Sequence, residues 1–268
     1  MSDLLRTDRN WPALEDSLWE LFHENSKIGR WDSLLNGAGT YRAVSSAAER
    51  PDFRAYPAVR LPEADLSELR VSLTPAPAGS TPTGKPAAVQ LPQLATLLGG
   101  GCRLAAMADC ERWDFTGPAA AALALPQPFR LFVHCVHVEG LEAGLYYYDT
   151  TAHLLRLINP GGHASAIAAA MLSPTIAVES EVMFFLSTRL TSADLPHGNR
   201  DYRLLLVEVG RLAHSFQLVA NHLELSCVQV GSFFDRQMDA WLALDGVTQS
   251  VLLVLGIGQL PGRQRRGP

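Results

Sequence analysis

The residues with most chemistry to offer lie late in the chain. Arg200 and Arg203 open a long apolar segment, and Arg211 and His214 follow on it. Three positions apart on a helix, the Arg211 guanidinium and the His214 imidazole share a face. They either meet a bound anion there or stand in solvent as ordinary surface residues. His197 sits in the loop just before; an unperturbed imidazole with a pKa of about 6.5 suits a general base at neutral pH. An exposed loop histidine is the alternative. Arg263, Arg265 and Arg266 make the one dense basic cluster, near the end of the sequence. His134 and His137 flank Cys135, but strand alternation sends the two rings to opposite faces, so they do not share a metal. Cys102, Cys110, Cys135 and Cys227 form no CxxC pair and have no zinc-site spacing, which points to buried thiols. A GxSxG elbow, a phosphate-binding P-loop and an HExxH helix are all missing from the sequence.

These side chains need elements to hold them, and hydrophobic periodicity supplies a list. Residues 11–36 are expected to be helical, with Leu14, Leu18, Leu21 and Phe22 at helical spacing. Residues 37–73 are irregular, mixing arginine, proline and tyrosine. Residues 74–90 are rich in Pro, Gly, Ala, Thr and Ser and are expected to form a loop or linker. A helix over LPQLATLL should stop at Gly99 to Gly101, since glycine tolerates the left-handed cap. Residues 116–126, TGPAAAALALP, suit a short helix. FRLFVHCVHV, GLYYYD and HLLRLI then make a β meander. An alanine-rich helix over 162–172 should end before Pro174, and VMFFLST is a strand. From Arg200 on, Leu212, Phe216, Val219, Ala220 and Leu223 form one helical stripe that packs inward. CVQVGSF is a strand, Asp235 is placed to cap RQMDAWLAL, and VLLVLGIG reads as a strand covered on both faces. The sum is an α+β fold with helices on a small, mainly antiparallel sheet.

Composition bounds the function. A chain of 268 residues with 47% hydrophobic and 18% charged residues can bury a large core. A net charge of -5 argues against a general nucleic-acid binder. No apolar run reaches signal-peptide or membrane-span length, so the expected location is cytoplasmic, with no membrane partner.

Four segments, in order, resemble one family. FHENSKI (residues 22–28), VHVEGLEAGLYYYDTTAHLLRLI (136–158), YRLLLVEVGRLAHSFQLVANHLEL (202–225) and LALDGVTQSVLLVLGIG (242–258) are similar to the corresponding stretches of FMN-dependent nitroreductase-like proteins, the SagB-type peptide dehydrogenases in particular. The resemblance covers roughly residues 90–258. It implies a nitroreductase-like dimer that binds FMN at the subunit interface, with residues 1–73 as an N-terminal extension and 74–268 as the FMN domain. It also implies oxidation of azolines to azoles in ribosomally made peptides, on substrate supplied by a cyclodehydratase. In that chemistry the flavin takes the hydride, while the protein orients the substrate and accepts the proton.

The chain departs from that pattern where the chemistry should be. The family's RRSxR phosphate element aligns so that Ser80 survives and the arginines become Ala78, Gly79 and Pro82. Lys85 is a point charge, not an arginine fork. The Lys-Tyr pair of azoline dehydrogenases is Pro196-His197 here, which makes His197 the candidate catalytic base. The family's "GHLAQN" is Gly210-Arg211-Leu212-Ala213-His214-Ser215. The candidate cofactor contacts are therefore Ser80, Arg200, Arg203, Arg211, His214, Arg263 and Arg265. Two functions fit: an FMN-dependent oxidoreductase, or a degenerate partner subunit that pairs with an active paralogue.

Overall fold

The computed structural model describes residues 53–64, 88–107, 129–191 and 199–258. The helices expected over 11–36 and 116–126, Cys110, and the candidates Ser80, His197, Arg263 and Arg265 lie outside them.

The framework is a seven-stranded sheet in the order β1-β6-β5-β3-β7-β9-β8. The strands are β1 (Ala58–Arg60), β3 (Phe129–Cys135), β5 (Gly144–Asp149), β6 (Leu154–Pro160), β7 (Val182–Arg189), β8 (Ser226–Val230) and β9 (Gln249–Gly258). Every pairing in it is antiparallel. Two residues each of β2 (Val89–Gln90) and β4 (Val138–Glu139) form a separate parallel pair. The helices are α1 (Leu91–Met107), α2 (Ala164–Ala169), α3 (Pro174–Glu179), α4 (Asn199–His222) and α5 (Asp235–Trp241).

Both faces of the sheet are covered, and strand alternation divides the core in two. Leu131, Val133 and Cys135 of β3 and Val182, Phe184 and Leu186 of β7 pack with α1 and α4. Phe132, Met183 and Phe185 pack the other way, with Ile167 of α2, Ala177 of α3 and Met238 of α5. A strand buried on both sides has no polar face to alternate, which is why β7 reads VMFFLSTR. In β9, Val251 and Val254 face the same layer although three residues apart. The register with β7 shifts between Leu186 and Ser187, and that irregularity resets the alternation.

The meander, the strand over VMFFLST and the end of the alanine-rich helix before Pro174 stand as expected: α2 stops at Ala169, and Pro174 opens α3 at the position where a missing N–H costs nothing. Two other expectations need correction. First, Gly99 to Gly101 do not end a helix: α1 runs through them to Met107. The glycines serve close approach. A Cβ on Gly99 would lie 2.8 Å from the Ala64 Cβ, and one on Gly101 would overlap the Phe216 ring of α4. Second, Asp235 is the first residue of α5, and the capping position belongs to Phe234, which makes no side-chain cap bond. The segment read as irregular also contributes β1, which pairs with β6 at the sheet edge.

The hairpin over β5 and β6 is tied by its own polar side chains. Asp149 Oδ1 accepts the backbone N–H groups of Thr151 and Ala152, each at 3.1 Å. His153 Nε2 faces the Pro62 carbonyl at 3.0 Å and so carries the proton. Its Nδ1 then accepts from the Tyr148 hydroxyl at 2.8 Å. One imidazole thus links β5, β6 and the 61–64 segment.

Gly101→Ala is expected to lower stability by about 1–3 kcal/mol, because the added methyl meets a fully buried ring. Urea unfolding measures it. Gly101→Ala combined with Phe216→Leu should recover part of the loss; an unchanged midpoint in the single variant would show that the helices separate freely.

Candidate functional site

Helix α4 sets the stage for the candidate site. Its buried stripe is Val209, Leu212, Ala213, Phe216, Val219 and Ala220, all packed with α1 and the sheet, and Leu205 near its start is buried as well. Phe216 meets Phe184 of β7 edge-on, ring centroids 5.1 Å apart. Leu206, Val207, Gly210 and His214 face outward, with Leu206 41% and Val207 57% exposed. Expectations for the inward stripe and for an outward His214 therefore stand.

The topology brings several separate segments to one end of the sheet. β3 begins there, entered from residues 108–128, and β7 ends there, leaving toward 192–198 and the start of α4. The register is Phe129 opposite Thr188 and Arg130 opposite Ser187 on β7, with Arg189 opposite Gln249 on β9. Arg130, Ser187 and Thr188 are buried polar residues in an otherwise apolar framework. Ser187 Oγ donates to the Arg130 carbonyl at 3.3 Å, and Arg130 Nη1 donates to the Gln249 side-chain oxygen. Sequence reasoning passed over Arg130; the available signal was a lone guanidinium at the mouth of an apolar strand.

Each candidate has a distinct position. Arg200 and Arg203 lie half-buried in the first turns of α4. The Arg200 Nε is buried and has no hydrogen-bond partner among the described residues. A buried guanidinium N–H without an acceptor is costly, so this one suits an anion. Arg211 is engaged in structure: Nε and Nη2 bond the Glu208 carboxylate, the latter at 2.6 Å, and Nη1 donates to the Ala105 carbonyl. A cation on the last turn of α1 also complements the negative end of that helix. Glu208, only 7% exposed, was another residue missed, although an acid three positions before an arginine is a legible helical pair. Ser215 Oγ donates back to the Arg211 carbonyl at 3.1 Å.

Of the cysteines expected to be buried, Cys135 is buried, whereas Cys102 and Cys227 are half-buried. Cys102, Cys135 and Cys227 are free thiols. Burial pushes Cys102 and Cys227 up to about 12, and Cys135 upward as well, so none is a thiolate at neutral pH. No cluster of metal-binding side chains occurs among the described residues. His134 is buried on β3, whereas the strand stops at Cys135 and His137 lies exposed in the bend beyond it, so the two histidines do not alternate along one strand as expected. No described helix is long and apolar enough to cross a membrane.

An antiparallel sheet with a long central helix pair on one face and three short helices on the other matches known structures. A crystal structure from Anabaena variabilis described as a nitroreductase aligns with 94% of this chain at a TM-score of 0.64 and 21% identity. The fold is nitroreductase-like. This chain spans about half of that one, 49% of its length. A Ralstonia eutropha structure, also described as a nitroreductase, aligns over 76% of this chain and 89% of its own, with a TM-score of 0.50 and 17% identity. A chain of the Escherichia coli microcin synthetase McbBCD complex with bound truncated pro-MccB17 aligns over 91% of this chain and 92% of its own, with a TM-score of 0.51 and 14% identity. Among curated proteins, one from Methanocaldococcus jannaschii named as a nitroreductase is 28% identical over 151 residues, covering 56% of this chain and 72% of its own. No family model matches the chain.

Arg211→Met should destabilise the protein by about 1–3 kcal/mol, since it strips the partner from a buried carboxylate. Glu208→Gln in the same chain should return part of that loss. A variant with an unshifted urea midpoint but weakened ligand binding would instead assign Arg211 to a ligand.

Proposed function

We propose that this chain is an FMN-dependent oxidoreductase of the nitroreductase superfamily, of the SagB-type dehydrogenase kind, acting in natural-product or peptide tailoring. The observation that carries the proposal is the 151-residue likeness to a protein named as a nitroreductase, on a fold of the same kind. When bound, FMN supplies a two-electron acceptor. The Arg200 Nε at the start of α4, without a partner among the described residues, fits its phosphate, and Arg203 lies one turn on. Ser80, Arg263 and Arg265 are the further proposed phosphate contacts, and His214 is the proposed outward contact to the flavin edge. His197 is the proposed base: an azoline that gives up two electrons must also lose a ring proton, and an imidazole near neutrality can take it. The proposed substrate is an azoline-bearing peptide, delivered by a cyclodehydratase; likeness to a chain of a peptide-bound synthetase complex favours that class.

The proposed assembly is a dimer through the outer face of α4. Leu206 and Val207 stand exposed there beside Gly210, whose position leaves room for close approach. A homodimer and a heterodimer with a nitroreductase-like paralogue both use that face. The proposed location is the cytoplasm.

A second function, a partner subunit without chemistry of its own, is favoured by one observation. Arg211, which replaces a family side chain on α4, is bound to Glu208 and Ala105. FMN titration separates the two. The oxidoreductase should show a flavin absorbance band and saturable binding, and Arg200→Ala should weaken that binding on the order of 10–100-fold. A colourless protein that ignores excess FMN and co-purifies with a nitroreductase-like chain would establish the second function instead.

A further inference from the structure

The core layer away from α4 contains a titratable group that the proposed reaction does not use. His134 is fully buried on β3, on the same side as Phe132. Its Nε2 accepts a hydrogen bond from the His163 backbone N–H at 3.0 Å. A nitrogen that accepts from an N–H bears no proton, so the neutral ring has its proton on Nδ1. That proton also bars Nδ1 from metal ligation, and it meets no acceptor among the described residues.

The ring sits where three elements meet. His163 is the capping residue of α2, and its side chain makes no cap bond. The His134 and His163 ring centroids are 5.9 Å apart. Trp241, the last residue of α5, lies 6.1 Å from the first and 6.0 Å from the second. The layer is otherwise continuous: Phe234 N–H bonds the Ala170 carbonyl, and Met171 bridges to Phe233. The His134 hydrogen bond therefore fastens one end of a unit formed by α2, α3 and the start of α5.

Among the described residues, no hydrogen bond joins the His134 ring to a carboxylate. Opposite His134 stand Leu145 of β5 and Met183 of β7, both apolar. From α2 comes His163 itself. On α5, Asp239 gives its carboxylate to Ser250 Oγ at 2.9 Å and the Val251 N–H at 2.8 Å, while Asp235 and Arg236 are exposed. Glu179 at the end of α3 is exposed, and buried Glu181 accepts the Val136 and His137 N–H groups through its backbone carbonyl. A proton on Nε2 turns the acceptor into a donor pointed at another donor, so the bond is lost outright.

We infer that His134 is an acid-sensitive latch, whose protonation frees the α2–α3–α5 unit from the sheet while α1 and α4 remain in place. Burial, and after it the neighbouring His163, lowers its pKa from 6.5 to about 4. The detached ring titrates near 6.5, so the detached state binds the extra proton. The latch is fully closed above that value and weakens as the pH falls from 6.5 toward 4. At pH 5 those two values favour the detached state about 30-fold over its share at pH 7.5.

Hydrogen exchange at pH 7.5 and 5, corrected for intrinsic rates, tests the latch on the full chain. Residues 164–179 should lose about 30-fold more protection than α4. His134→Gln presents an oxygen to the same N–H without titrating, and should abolish the difference. His163→Gln should keep it, because only the His163 backbone takes part. Equal loss in both layers, or an undiminished difference in His134→Gln, overturns the inference. If His134→Gln does not fold, the ring titration of wild-type His134 decides: a midpoint well below 6.5 that moves with the α2 amides supports the latch, and a midpoint near 6.5 without α2 changes refutes it.

Discussion

Helix α4 can lie against α1 only because Gly101 has no side chain. The Phe216 ring occupies the space a Cβ would need, and on its other edge meets Phe184 of β7. One aromatic side chain thus fixes the spacing of two helices and seats both on the sheet. Interiors are close-packed, so a notch and a ring of matching shape determine one arrangement where generic apolar residues would allow several. Everything at the start of α4 inherits that placement. The first turns of α4, with Arg200 and Arg203, hold their place because α4 cannot slide along α1. The Arg211 bonds to Glu208 and to the Ala105 carbonyl reinforce the same register from the side.

Much of this architecture was legible in the sequence because periodicity is a local property. The meander, the doubly covered strands and the inward stripe of α4 each announce themselves within about ten residues. The failures involve partners that are remote in sequence. Gly99 and Gly101 look like a helix stop because glycine usually caps; only Phe216, Ala64 and His153 reveal that they mark close approach. β1 was invisible because three residues with one β-branched side chain become a strand only when β6 offers an edge. The candidate site was legible in part. The family likeness located Arg200, Arg203, Arg211 and His214, but no local pattern could say that Arg211 is held by a carboxylate and a carbonyl while the Arg200 Nε has no such partner among the described residues.

That contrast separates two uses of arginine on one helix. Arg211 directs its hydrogen bonds to α1 and to its own helix, which adds fixity to the helix pair and occupies the guanidinium. Arg200, near the start of the same helix, keeps a buried Nε donor with no partner among the described residues. A buried N–H left in that condition costs stability, and an anion would offset that cost.

Each face of the sheet carries both bonded and unbonded buried polar atoms, Arg200 Nε on α4 and His134 Nδ1 on β3 having no partner among the described residues. Around α1 and α4, buried Glu208 and Ser215 and half-buried Arg211 are bonded within the helix pair. Around α2 and α5, His134 has one ring nitrogen bonded and the other without an acceptor among the described residues. The helices there are also short, six or seven residues each, too brief to be stable without the sheet beneath them. A layer made of short helices and fastened by a half-satisfied imidazole is the part of the fold that opens at least cost, whereas the long helices bearing the candidate site are locked by shape. Solution conditions therefore act first on the face remote from α4, and they reach the candidate site only through β3 and β7, the strands that both layers share.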